Sequence, residues 1–393
     1  MFSHLHSHFN HAQNPLYQLK TRLIAEGHSI MDAVSGNVTQ QGIRFPEETL
    51  RAAIAEGITQ ARTYAPDPLG HLSTREAISH WYAQTQQTLI PAQQLVLTPG
   101  TSLSYWYVFQ LLANPGDDIL CPLPNYPLFD AIARLAHIQI AYYPLSESRG
   151  WKINIDALTS AITPKTRAIV LISPHNPTGV VASAEELAAV VELARKYQLP
   201  LIVDEVFSSF LFKSSLYPRL IDSKAPLVFT LNGFSKMLAL PGIKLGWIGV
   251  TGAANAVEGA LRSLDAISDT FLPVADPLQY AAALLLPYSS AFQASYQAEM
   301  HQRVQVANSE LKSIPGLSWE EAQGGFYTTL RLPPGIAEDA LALHLLKEEH
   351  VLMHPGYFYD LEGNHLILSH VGEPRWTQEV IEKLRRAIST LSP

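Results

Sequence analysis

The chain has 393 residues, 47% hydrophobic and 16% charged, which is enough apolar material for a large core and excludes a disordered or low-complexity chain. Twenty-seven Lys and Arg against 35 Asp and Glu leave a formal charge of -8, which argues against a nucleic-acid groove or an anionic membrane surface as partner and for a small molecule. The single cysteine, Cys121, excludes an internal disulfide and a thiolate zinc site and fits a reducing cytoplasm, and no apolar run approaches the roughly 20 residues needed to span a bilayer.

The opening MFSHLHSHFNHAQNP lacks the basic and apolar regions of a signal peptide. Within it His4, His6, His8 and His11 alternate as metal ligands on a strand could, but no nearby Asp, Glu or Cys completes a ligand set, so a polar tail is the stronger reading and no metal is expected. LVLTPG (95–100) predicts a strand and turn, and SLSYWYVFQLLA an apolar helix that stops at Asn114, Pro115 and Gly116. DDILCP reads as a strand, YPLFDAIARLA as a helix and IQIAYY as a strand. RAIVLIS (167–173) is nearly uninterrupted and β-rich, as for a strand buried on both faces. The loop PHNPTG leads to a helix whose start, Ser183 with Glu186, has capping-box spacing. LPLIVDEV, PLVFTL and KLGWIGV supply further strands.

Strands alternating with helices over about residues 60 to 280 predict parallel pairing in a layered α/β domain. After about residue 285 the pattern changes to a long polar helix (about 290–312), FYTTLRL, a helix from about 337, VLMHP, the strand HLILS and a last helix from Thr377. The expected organisation is therefore an N-terminal segment (1–55) joining the small domain, a large domain (56–285) and a small α+β C-terminal domain (286–393). No internal repeat is present.

The chemistry concentrates in NGFSKMLALPGIKLGW (232–247), where Lys236 follows Ser235 in a loop leading to Lys244 and then a strand, with VDEVF (203–207) and SPHNPTG (173–179) upstream. Together, from about Tyr64 to Gly325 and in the same order, these resemble the aspartate-aminotransferase superfamily, the class I/II enzymes of fold type I that use pyridoxal phosphate. The resemblance implies a large, mostly parallel sheet flanked by helices plus a smaller α+β domain. The cofactor needs an amine to hold it as a Schiff base, and that amine, once released, becomes the base that moves the α-proton; the candidate is Lys236. The ring nitrogen needs a buried carboxylate, and Asp204, at the carboxyl end of an apolar strand, stands where ligands bind in open α/β sheets. By similarity, Asp204 pairs with the ring nitrogen and Asn176 with the ring's 3-oxygen. Gly100, Thr101 and Ser102 match the phosphate loop, a helix start whose N–H groups suit an anion, with charge from Lys244 and a hydroxyl from Ser235. Tyr126 matches the aromatic that stacks on the ring, although taken alone it reads as a core residue. Tyr64 matches the tyrosine lent to the neighbouring subunit's phosphate, which implies a homodimer with active sites at the interface.

Four positions depart from the family. Phe207 replaces a tyrosine that donates to the 3-oxygen, which is expected to raise the pKa of the Schiff base. Lys244 replaces an arginine, keeping charge without the bidentate fork. Gly233 replaces a serine that serves the phosphate. Ile367 replaces the arginine that clamps the substrate α-carboxylate, leaving Gly36, Asn37, Asn176, His370 and Arg331 as alternative ligands among which the sequence does not choose. In AISDTFLPV, Asp269 falls near the position where dicarboxylate-specific members carry an arginine, which would favour cationic or hydroxylated side chains.

The leading expectation is an amino-acid aminotransferase. The alternative is a lyase or cyclase of the same fold that eliminates, dehydrates or cyclises a hydroxylated or arginine-like amino acid. A DNA-binding sensor lacks a basic recognition helix here, a Rossmann dehydrogenase lacks G-x-G-x-x-G, and a serine hydrolase lacks G-x-S-x-G.

Overall fold

The computed structural model of the protein describes Leu5 and residues 14–213, 217–271 and 274–391; His4, His6, His8 and His11 lie outside them. Helix α1 (Pro15–Ala25) starts where the Asn14 side chain accepts the Leu16 N–H, with proline in the first turn, where its missing N–H costs nothing. Strand β1 (Met31–Asp32), helices α2 (Glu47–Gln60) and α3 (Leu72–Thr85), strand β2 (Leu95–Thr98), helix α4 (Thr101–Leu112), strand β3 (Asp118–Leu123) and helix α5 (Phe129–Leu135) follow. Then come β4 (Gln139–Ser146), β5 (Lys152–Ile153), α6 (Ile155–Ala161), β6 (Thr166–Ile172), α7 (Ala184–Tyr197), β7 (Leu201–Asp204) and β8 (Leu227–Gly233). After the short α8 (Phe234–Met237) the chain forms β9 (Gly246–Gly252), α9 (Ala254–Phe271), α10 (Asp276–Leu285), α11 (Ser290–Leu311), β10 (Ser318–Trp319) and β11 (Tyr327–Arg331). It ends with α12 (Glu338–Glu349), β12 (Val351–Leu352), β13 (His354–Pro355), β14 (His365–Ser369) and α13 (Pro374–Leu391).

Eight strands form one sheet in the order β2-β9-β8-β7-β6-β3-β4-β5. Its centre, β4-β3-β6-β7-β8, is parallel, as the alternation of strands and helices predicts. Strand β9 departs from that expectation and runs antiparallel to both β2 and β8. The connection from β8 holds one helical turn instead of a crossover helix, so the chain comes back beside the strand it has just left. In β6, Ala168, Val170 and Ile172 pack with Tyr105, Val108 and Phe109 of α4 on one face, while Ile169 and Leu171 pack with Val190, Val191 and Ala194 of α7 on the other. That two-sided burial explains why RAIVLIS has no polar alternation. Helix α7 carries the predicted capping box: Ser183 Oγ accepts the Glu186 N–H at 3.2 Å and a Glu186 carboxylate oxygen accepts the Ser183 N–H at 3.0 Å.

A second, antiparallel sheet runs β10-β11-β14-β13, and β1 pairs in parallel with β12. Leu16, Leu23 and Ala33 from the N-terminal segment share a core with Leu345, Leu366 and Leu384, whereas Phe45 and Ala53 pack with Trp81, Trp247 and Leu285. The last helix begins at Pro374, three residues before the expected Thr377, because proline fits the first helical turn.

Candidate active site

The site forms where β6, β7 and β8 end and α4 begins. Gly100 makes the turn into α4 with φ +95°, a conformation that favours glycine, and presents the first N–H groups of the helix at Thr101 and Ser102. Asp204 closes β7, Asn176 lies in the loop after β6, and Lys236 sits in the single turn after β8. One pocket is lined by Thr101, Ser102, Tyr126, Asn176, Asp204, Ser235 and Lys236, so residues spread over more than a hundred positions meet in one cavity. Phe207, Gly233, Ile172, Val206, Tyr105 and Tyr327 complete its wall.

Asp204 is buried, and burial pushes its carboxyl up to about 6 against three opposing effects: the Val206 N–H at 3.0 Å, the Tyr105 hydroxyl at 2.8 Å and the nearby Lys236. The Lys236 amine is lowered to about 8 by burial, with Asp204 pulling the other way. Its Nζ approaches the Gly36 carbonyl oxygen at 3.4 Å and lies 5.6 and 5.5 Å from the ring centres of Phe207 and Phe326. At neutral pH about a tenth of this amine is neutral, far more than of an ordinary lysine, and that is the form that attacks a carbonyl and accepts a proton. Behind Asp204, Glu205 is fully buried and pairs with Arg219, whose guanidinium lies over Tyr82 and Tyr217. The Tyr217 hydroxyl donates to the Ser173 carbonyl at 2.7 Å, and so braces the start of the loop that carries Asn176.

The donor set fits pyridoxal phosphate on its own observations. Asp204 makes no salt bridge with a described residue, which suits a ring cation as its partner. Asn176 Oδ1 is buried with no hydrogen-bond partner, the mark of a place built for a polar ligand. The start of α4 offers unpaired N–H groups to a phosphate.

The departures also have structural causes. A side chain at Gly233 would meet the Leu245 carbonyl oxygen at 2.8 Å and Gly246 Cα at 2.9 Å, so β9 packs too closely for the family's serine. Phe207 is buried edge-on against Phe326 and Tyr327, and Ile367 is fully buried in the same cluster. Lys244 is exposed in a left-handed turn, outside the pocket wall but two residues before Gly246, which packs on Gly100 and Thr101. Tyr64 is 71% exposed and also outside this chain's own pocket.

Three proposed substrate ligands are not brought to the pocket. Arg331 is held by Glu147 at the far end of β11, and His370 is fully buried with Nε2 bonded to Thr328 Oγ1 at 2.6 Å, kept neutral by burial that lowers it to about 4. Asp269 is exposed on α9. Asn37 turns its side chain onto Thr39, which leaves Gly36 as the member of that pair in contact with Lys236. Sequence reasoning overlooked Tyr105 and Tyr327. Tyr105 lies four residues after Thr101 and hence on the same helix face, a signal that was available; Tyr327 depends on strand register and had none.

The family model for aminotransferase class I and II matches residues 30–384. The chain is 31% identical over 387 residues to the alanine aminotransferase of Mycobacterium tuberculosis, covering 95% of this chain and 88% of that protein. It is 29% identical over 352 residues to the glutamate-pyruvate aminotransferase AlaA of Escherichia coli, covering 88% and 86%. The crystal structure of an aminotransferase from Escherichia coli superposes with a TM-score of 0.88 at 26% identity over 97% of this chain and 96% of that one. An alanine aminotransferase from Pyrococcus furiosus, at 23% identity, shares the fold with a TM-score of 0.89 over 95% and 96%. These relatives favour transamination over the elimination or cyclisation alternative.

Proposed function

Because this chain is a member of the aminotransferase class I and II family, pyridoxal-phosphate-dependent enzymes of fold type I, we propose that it moves the amino group of a small neutral amino acid such as alanine to a 2-oxo acid. The observation that carries this reading is the meeting of the buried Lys236 amine, near 8, with the buried Asp204 carboxylate in one pocket open to Asn176 and the α4 N-terminus. When bound, pyridoxal phosphate supplies an electron sink for the substrate α-carbon. Lys236 would hold the cofactor through its amine, and the same amine, when free, would take the substrate α-proton and return it. Asp204, fixed by Tyr105 and the Val206 N–H, would balance a positive ring nitrogen. Thr101, Ser102 and Ser235, with the N–H groups of α4, would hold the phosphate, and Lys244 would add charge. Tyr126 and Asn176, both on the pocket wall, would hold the cofactor from the side, Asn176 through its unpartnered amide. Ile172, Val206 and Phe207 give the remaining wall an apolar character that suits a short aliphatic side chain and offers no cation to a second carboxylate.

The assembly proposed is a cytoplasmic homodimer in which the exposed Tyr64 reaches the partner subunit's phosphate site. Among the described residues no helix is long and apolar enough to cross a membrane. The test is a spectral titration of the holoenzyme with neutral, acidic, basic and hydroxylated amino acids, without oxo acid. Stoichiometric bleaching by alanine, reversed by pyruvate, is expected. Product accumulating over many turnovers without an acceptor would overturn the reading.

A further inference from the structure

Ile367 leaves the substrate-carboxylate position without its arginine, and no arginine lines the pocket. The register of the second sheet shows what stands there instead. Tyr327 pairs with Ser369 and Thr329 with Ile367, so these four side chains share one face of the β11-β14 ladder and Tyr327 is the diagonal neighbour of Ile367. A tyrosine at that offset reaches space that a residue at 367 would otherwise fill. Its hydroxyl points to Gly36: a Cβ there would collide with the Tyr327 oxygen and lie 3.1 Å from Lys236 Nζ. The phenol therefore ends beside the amine that carries the chemistry. Gly36 itself is anchored by its neighbours, since Ser369 Oγ donates to the Ser35 carbonyl at 2.9 Å. The Tyr327 hydroxyl is bonded to no other described residue.

We propose that the Tyr327 hydroxyl binds the substrate α-carboxylate, replacing an arginine clamp with a neutral donor. This rests on the amino-acid reading above. The hydroxyl stands at the reacting end of the pocket, where it can donate to one oxygen of a carboxylate, and burial holds Tyr327 well above the ordinary phenol range, so it stays a donor at every working pH. The nearby Asp32 does not repel the ligand strongly because Lys20 neutralises it at 3.0 Å. A neutral clamp has a functional signature: carboxylate affinity should vary little with salt, since no mobile cation is paired on binding.

The experiment compares the wild-type and Tyr327→Phe holoenzymes in binding propionate and propionamide, followed by calorimetry. One hydrogen bond to a charged group corresponds to roughly tenfold or more in affinity. The expected result is at least a tenfold weaker propionate, unchanged propionamide, unchanged cofactor retention, and for alanine a rise in KM larger than any fall in kcat. Equal weakening of acid and amide, or no weakening, overturns the proposal. Gly36→Ala, which pushes the hydroxyl aside, provides a second variant with the same expected selectivity should Tyr327→Phe not fold. Because propionate binding needs no turnover, an enzyme that fails to transaminate any amino acid but binds propionate through Tyr327 would sink the functional reading and leave this assignment standing.

Discussion

Replacing Asp204 by Asn should stabilise the apoprotein while disabling the enzyme. Burial raises the Asp204 carboxyl from 3.8 to about 6. A raised carboxyl pKa means that the native state binds the proton more tightly than the unfolded chain, so stability is fully present below about 4 and is lost as pH rises through 6. At 1.4 kcal/mol per pKa unit the ionised group costs about 3 kcal/mol at pH 8 and about half of that at pH 5. Asn fills the same volume, accepts the Val206 N–H and can donate to the Tyr105 oxygen, so it escapes that cost. Urea denaturation of the two apoproteins should therefore show Asp204→Asn ahead by about 3 kcal/mol at pH 8, with the gap roughly halved at pH 5. The same substitution leaves a cationic cofactor ring without its counter-charge, so cofactor affinity and turnover should fall. A variant that is less stable at pH 8, or a gap that does not change with pH, would refute the placement of Asp204 as an uncompensated buried charge.

Lys236→Ala should remove covalent attachment of the cofactor, read as loss of borohydride-trappable label, and lower turnover by at least about 10³-fold. Phe207→Tyr places a hydroxyl beside the cofactor's 3-oxygen and should move the protonation midpoint of the yellow chromophore to lower pH, visible in an absorbance titration; an upward move would contradict the assignment. Arg219→Ala leaves Glu205 buried and unpaired, and chemical denaturation should report a loss of about 3–5 kcal/mol, with Glu205→Gln in the same background recovering part of it.

The parts of this protein legible in its sequence are those whose determinants are local. Asp204 could be placed because three apolar residues ending in an acid make a buried strand with a polar tip, and α7 because Ser183 and Glu186 satisfy each other within one turn. Lys236 was legible through its neighbours Ser235, Pro241 and Gly242 as a pattern. What was not legible depends on register and direction. Arg331 was a reasonable carboxylate ligand on composition, but it lies four residues beyond Tyr327, about 13 Å along the strand, where Glu147 takes it. His370 bonds Thr328, whose side chain leaves the strand on the face opposite Tyr327, and so turns away from the site. The antiparallel β9 could not be read from KLGWIGV, because an apolar strand buried on both sides looks the same in either direction.

The contact between Gly36 and Lys236 sets an order on biosynthesis. The wall that Gly36 provides is seated by pairing of Met31 with Val351 and by the bond from Ser369 to Ser35. Residues 31–36 leave the ribosome among the first, yet their seat is made of residues that emerge among the last. A nascent chain halted after β9 would already hold the lysine, the aspartate and the phosphate loop on one finished sheet, with the amine uncovered on one side. The chemistry of the site is thus assembled early and sealed late, and loss of the last forty residues should yield a folded sheet that still presents every polar group and performs no transfer.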